Sequence, residues 1–211
     1  GGTTSAPFSS GQESVAIGYQ ALSGFTTGGA NVAIGYQAGN DITTGANNVF
    51  IGKLAGDVLT AGSNNVVVGS GALGSADGLE RENIAIGFGA AGGINNDSAI
   101  RNVFIGEYAG YGGTGALNYS VAIGYRALDS TGANNSSGTV AIGYYAGADI
   151  TSGTSSTLLG YEAGLSLTTG NNNTLIGYQA GRLLTHSSNV AIGTLAFDAA
   201  TSAEDSVVIG V

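Results

Sequence analysis

The chain contains no cysteine, methionine or tryptophan, one proline, one histidine and only five lysines and arginines in 211 residues. Absence of cysteine suits an extracellular or virion protein that does without disulfides, although it excludes no compartment. A single histidine, His186, excludes triads that draw on further histidines and multi-histidine metal sites. The formal net charge is −9, with Lys53, Arg81, Arg101, Arg126 and Arg182 as the only cations. With no basic patch, binding to the phosphate backbone of nucleic acid lacks its main source of affinity, and an anionic membrane surface repels the chain. No apolar run of about 18 residues and no signal peptide is present, so the chain is expected to be soluble as given. It also starts without methionine, which points to processing or to a piece of something longer.

Against these absences stand 39 glycines. They have no period of three, which removes collagen. Nor do they mark disorder, because valine, isoleucine and leucine recur in register among them. The register is one short phrase written twelve times: a small polar residue, Val-Ala-Ile-Gly, often tyrosine, then alanine. Its glycines are Gly18, Gly35, Gly52, Gly69, Gly87, Gly106, Gly124, Gly143, Gly160, Gly177, Gly193 and Gly210, at spacings of 16 to 19 residues. A repeat this short and faithful predicts a solenoid, in which each coil buries its apolar surface against the next. Residues 1–211 are therefore read as a single repetitive all-β domain, a parallel β-solenoid of about twelve 16–19-residue coils. At roughly 4.8 Å per coil it forms a rod about 55–60 Å long.

Aligned by the glycine, the repeats become columns. The residue before valine is always Asn, Ser or Thr, as at Asn31, Asn48 and Ser120, and is expected to form a hydrogen-bonded ladder at one corner. The Val and Ile columns lie two residues apart, are mostly β-branched and are expected to face the solenoid core. The column between them is apolar throughout and, with the glycine, is expected to face away from that core. A strand apolar on both faces is covered on both faces. The expected cover is another copy of the chain, about an axis parallel to the rod, with three copies the simplest bundle. The interface residues so assigned are Ala16, Gly18, Ala33, Gly35, Phe50, Gly52, Phe104, Gly106, Ala122, Gly124, Ala141 and Gly143. The alternative is a flattened monomeric solenoid with an apolar stripe. The remainder of each repeat, as in Thr26-Thr27-Gly28, suits turns and a less regular outer strand.

The phrases Asn31-Val32-Ala33-Ile34-Gly35-Tyr36-Gln37-Ala38-Gly39 and Ser120-Val121-Ala122-Ile123-Gly124-Tyr125 resemble the head repeats of YadA-type trimeric autotransporter adhesins. They also resemble the repetitive shafts of phage tail fibres and of surface proteins ending in an intramolecular chaperone domain. The resemblance covers essentially the whole chain. It implies a left-handed parallel β-roll, homotrimeric, with the Val-Ala-Ile-Gly strand facing the three-fold axis. The repeats here are longer than the compact adhesin coil, and the adhesin's anchor, stalk and neck are lacking, which favours the fibre group. Neither group supplies catalytic residues.

Other motifs carry less. Gly69-Ser70-Gly71-Ala72-Leu73-Gly74 and Gly87-Phe88-Gly89-Ala90-Ala91-Gly92 both spell G-x-G-x-x-G. That pattern signals dinucleotide binding only where a strand feeds a helix, and no helical period follows here. Acidic residues such as Asp41, Asp57, Asp129, Asp149 and Asp198 are scattered over turn segments, with no spaced cluster to hold calcium. Glu80-Arg81-Glu82 reads as a solvated charged loop, and His186 as a residue of a solvated turn. Asparagine triplets matching the glycosylation pattern, as at Asn96, Asn118, Asn134, Asn135 and Asn172, are expected by chance in so Asn- and Ser-rich a chain. Paired threonines fall in loops and skip several coils, against an ice-binding array. No catalytic residue, cofactor or metal is expected, and no enzymatic activity: a glycan hydrolase needs a carboxylate pair in one groove.

The longest repeats are consecutive, and their extra residues fall within 75–82, 92–101, 110–119 and 129–138. Insertions in a solenoid form loops on one face, often the binding face. Tyr108, Tyr111 and Tyr119 mark the candidate loop for contact with a surface glycan or other partner. The expected function is a structural and adhesive fibre shaft at the surface of a virion or cell, extracellular, continued by flanking fibre domains and acting by avidity. The alternative is a filament subunit stacking head to tail through uncapped strand edges.

Overall fold

The computed structural model describes residues 13–95, 97, 99–112, 115, 117–132 and 136–211. Twelve strands of three residues run from β1 (Val15–Ile17) to β12 (Val207–Ile209), one per repeat, and no helix occurs among the described residues. Each pairs in parallel with the next in chain order, so the sheet is a single stack and the chain a β-solenoid of about eleven turns. Register follows the repeat column by column: Val121 lies against Val140, Ala122 against Ala141 and Ile123 against Ile142.

Each coil turns at its corner glycine. There φ lies between 131° and 143°, a conformation open almost only to glycine. Space forbids a side chain as well: a Cβ on Gly124 would lie 2.5 Å from the Gly143 carbonyl oxygen one coil on. The corner amides carry the ladder past the strand, with Gly35 N–H donating to the Ile17 carbonyl at 2.8 Å. A second ladder continues beyond it, as where Gly39 N–H donates to the Ala55 carbonyl at 2.9 Å. Backbone groups are thus paired along the rod even where no strand is formed.

The buried polar column before each strand is the expected ladder. Asn48 N–H donates to Asn31 Oδ1 and Asn65 N–H to Asn48 Oδ1, both at 2.9 Å. Each asparagine Nδ2 also donates across the coil, from Asn48 to the Gly62 carbonyl at 2.8 Å and from Asn65 to the Glu80 carbonyl at 2.9 Å. Every amide therefore ties its own coil shut and holds the next in register.

The expected sidedness of the strand is corrected. Ala33, Phe50, Val67, Ala85, Phe104, Ala122, Ala141, Leu158, Leu175 and Ala191, the middle residues, are fully buried inside the coil. Ala33, Phe50, Phe104, Ala122 and Ala141 therefore line the chain's own core and not an outward interface. Ala16 pairs with Ala33 in the same column, though in the first described strand it remains exposed. Gly18, Gly35, Gly52, Gly106, Gly124 and Gly143 are the corners. The Val and Ile columns point outward and are half-buried or exposed, reaching 43% exposure at Leu159 among the inner coils and 72% at Ile209 in the last. Alternation explains the phase: with the asparagine inside, valine is out, the middle residue in and isoleucine out.

Only one strand side chain per coil has to fit the interior, because other columns also fill it. One is the alanine three residues past the corner, buried at Ala38, Ala55 and Ala127. A column seven residues past the corner, unrecognised in the sequence, supplies buried Ile42, Leu59, Ile94, Ile150, Leu167 and Leu184. In several coils the fourth residue past the corner trades volume with the strand; Ala33 and Ala141 are exceptions, followed by Gly39 and Gly147, where Phe50 and Leu158 of the next coil fill the space. Phe50 faces Gly56 and Phe104 faces Gly110, where a Cβ would collide with the phenyl ring, whereas Ala122 is matched by buried Leu128. That site is left-handed, yet it accepts leucine at Leu22, Leu73 and Leu128, with φ of 50° to 52°.

Phe104→Ala should cost about 3–5 kcal/mol in chemical denaturation. Adding Gly110→Leu, which rebuilds the Ala122–Leu128 pairing, should recover more than half of that loss. A double variant no more stable than Phe104→Ala contradicts the exchange.

Candidate binding surfaces

Two outer surfaces and one cleft emerge from this coil. The first surface is the outer face of the sheet, where the Val and Ile columns run as two parallel rows up the stack, the Val row interrupted by Thr157 and Thr174. Val32, Ile34, Val49, Ile51, Val121 and Ile123 show its composition. A contiguous apolar strip of this kind marks an interaction surface. The second is a tyrosine ladder just past the corner. Tyr125, Tyr144, Tyr161 and Tyr178 stack in four successive coils, with centroids 5.4, 4.9 and 5.2 Å apart and rings within 14° of parallel. Tyr19 and Tyr36 form a shorter stack at 5.4 Å. Beside the long stack, Gln179 Nε2 and Arg182 Nε donate to Glu162 Oε2 at 2.8 and 2.9 Å. Burial alone would raise the Glu162 carboxyl, but hydrogen bonds from Gln179, Arg182 and Tyr161 hold it below the ordinary glutamate range.

The tyrosine column breaks at Lys53, Ser70, Phe88 and Glu107, and there the surface opens into a cleft of about 480 Å³. Its origin is the pair of G-x-G-x-x-G phrases. The second and fifth positions past the corner carry Gln37 and Asn40 in one coil and Leu54 and Asp57 in the next. In the two coils that follow, both positions become glycine: Gly71 and Gly74, then Gly89 and Gly92. One coil further on they are Tyr108 and Tyr111. Those two rings lie back over the upper glycines. A Cβ on Gly89 would sit 2.8 Å from the Tyr108 ring, and one on Gly92 would sit 3.1 Å from the Tyr111 ring. A Cβ on Gly71 would meet nothing within 4 Å, so the lower coil is left open. Phe88 and Tyr111 each pack edge-to-face with Tyr108, at 5.4 and 5.1 Å, and Arg126 covers Tyr108 at 5.3 Å from the ring centre. Lys53, Asp57, Ser70 and Ser75 complete the lining. Partial burial pushes the Asp57 carboxyl above the ordinary range, its own backbone amide offsets part of this, and the neighbouring Asp41 charge adds to it.

Of the three tyrosines assigned to the candidate loop, the fold brings Tyr108 and Tyr111 together and sends Tyr119 elsewhere. Tyr119 lies beside Arg101, whose guanidinium is 5.7 Å from the ring centre and donates to the phenol oxygen at 3.2 Å. Residues 113, 114 and 116 of that segment, and the triplet residues Asn96, Asn134 and Asn135, lie outside the described residues.

The Glu80-Arg81-Glu82 stretch is not a uniformly solvated loop. Glu80 is fully buried and its Oε2 accepts the Gly78 N–H at 3.1 Å, while Glu82 pairs with Arg101 at 2.5 Å. Asp77, Glu80 and Asp97 bring carboxylate oxygens within 4.8 Å of one another, and Asp97 Oδ1 accepts the Leu79 N–H at 3.0 Å. The two hydrogen bonds brace the inserted loops of adjoining coils, and the three carboxylates form a cluster able to accept a cation, which corrects the expectation that the acidic residues are only scattered. His186 is exposed in a turn as expected, with Nδ1 2.9 Å from Thr185 Oγ1.

The chain matches no known protein family, and no characterised protein or solved structure matches it.

Because the folded Asp57 pKa is raised, the ionised carboxylate is tolerated less well in the folded chain than in the unfolded one. Its stability contribution is best below the ordinary carboxylate pKa and declines as pH rises through the folded value. The melting temperature of Asp57→Asn relative to the parent chain should therefore be higher at about pH 7 than at about pH 3. A larger advantage at acid pH contradicts this.

Proposed function

We propose that the chain is the shaft of a homotrimeric fibre, a left-handed β-roll that carries surface-binding elements at the exterior of a virion or cell. The observation that carries this reading is the double row of valine and isoleucine along the outer face of the sheet. No described residue of the chain covers it, and it is the one apolar surface that recurs on every coil; the other exposed large apolar side chains, such as Leu79, Phe88, Leu183 and Leu195, are scattered singly. Each coil is too short to supply a second layer, so an equivalent strip on another copy is the natural cover, and a closed bundle hides all strips at once. The repeat phrase supports the same reading through its resemblance to adhesin heads and tail-fibre shafts. Function in such a rod is mechanical: a stiff spacer whose multiple copies of a weak contact add by avidity.

Light scattering over a concentration series tests it. The expected mass is three times the 20.6 kDa of the chain, independent of concentration. Ile123→Asp, which sets like charges on the buried strips, should shift the mass to one chain while the β-sheet circular dichroism persists. A single-chain mass for the unmodified protein overturns the trimer, and mass growing without limit favours a stacking filament instead.

A further inference from the structure

We infer that the cleft over Gly71 is a binding site for a neutral hexopyranose unit of a surface glycan. Two independent columns lose their side chains in the same two coils, and only there do both fall to glycine together. The upper pair of glycines is used to seat Tyr108 and Tyr111, whereas Gly71 below them faces open space. The opening is a shallow, solvent-open cleft one missing side chain wide in an otherwise filled ladder, and its volume of about 480 Å³ can seat a single sugar ring.

The lining sorts by chemistry along the rod. Phe88, Tyr108 and Tyr111 form an aromatic wall at one end, and Lys53, Asp57 and Ser70 offer polar groups from the other coils, beside the apolar Leu54. A pyranose has the same division, an apolar C–H face and a rim of hydroxyls, which can donate to Asp57 and accept from Lys53 and Ser70. An anion is disfavoured by Asp57 and by the net charge of −9, with Lys53 the single cation in the lining. A cation is disfavoured by Lys53, and Arg126 already lies over the Tyr108 ring. The cleft residues follow the corner glycine, so they lie past the strand whose outer rows form the proposed trimer contact. This inference deepens the adhesive part of the fibre reading and rests on it for its biological setting. Binding itself needs one chain only, so it is measured whatever the oligomeric state.

The test titrates the purified chain with methyl α-D-glucopyranoside, methyl α-D-mannopyranoside and methyl β-D-galactopyranoside, followed by saturation-transfer difference NMR. At least one should saturate with a Kd of about 1 mM, the range for so small a ligand. Gly71→Gln restores a side chain carried at the equivalent left-handed sites Gln20, Gln37 and Gln179. It should weaken binding by about tenfold or more without changing the melting temperature. Asp57→Asn, which keeps the shape of the cleft, should also weaken binding and covers the case in which Gly71→Gln fails to fold. No saturation by any hexoside, unchanged affinity in a folded Gly71→Gln variant, or saturation instead by tetramethylammonium or methyl phosphate overturns the assignment.

Discussion

The corner glycine is the constraint on which the rest depends. Its φ near 135° and the carbonyl of the next corner, stacked directly against it, leave no room for a Cβ at any of the stacked corners. A strand that ends in this turn is limited to three residues, and the chain re-enters the stack one strand spacing further on. Because the same turn recurs at each coil, like residues fall on like residues. Each asparagine amide oxygen then finds the backbone N–H of the polar residue one coil on, and the middle strand residue of every inner coil finds the core.

From that repetition follows a division of labour within the coil. The interior receives one side chain from the strand, one small alanine, in many coils an apolar residue from the seventh position, and a fourth-position residue whose size in several coils compensates for the strand residue. Phe50 with Gly56, Phe104 with Gly110 and Ala122 with Leu128 are different solutions to one volume. Outside, no such compensation is needed, and the columns are free to carry function: apolar rows on the strand, stacked tyrosines beyond the corner, and a gap where glycines replace them. Insertions lengthen coils without disturbing the corner, and their buried Glu80 and paired Asp97 show how such loops are held.

Much of this was legible in the sequence. The repeat count, the parallel stack and the polar ladder all follow from the phrase itself. The sidedness was not, because Val-Ala-Ile is apolar at all three positions and period-2 alternation cannot say which set is inside. The reading that larger β-branched residues go inward failed because the coil is narrow. The usable signal was reciprocal size: Phe50 and Phe104 coincide with glycine six residues later, whereas the Val and Ile columns vary without a partner. The large apolar column at Ile42, Leu59 and Ile150 was hidden because its neighbours are turn residues. The cleft was hidden differently. As sequence, its G-x-G-x-x-G phrases signal only a strand-to-helix motif, and their meaning here comes from two consecutive coils losing side chains at the same places.

The central claim is that copies meet through the outward Val and Ile rows, with the middle strand residue sealed inside each chain. A chain free of cysteine allows a direct measurement: single Ile123→Cys and Ala122→Cys variants treated with a short bifunctional maleimide and resolved by denaturing electrophoresis. The account predicts covalent links between chains through Ile123→Cys and none through Ala122→Cys. Linkage through Ala122→Cys, or chains that remain single with Ile123→Cys, contradicts it.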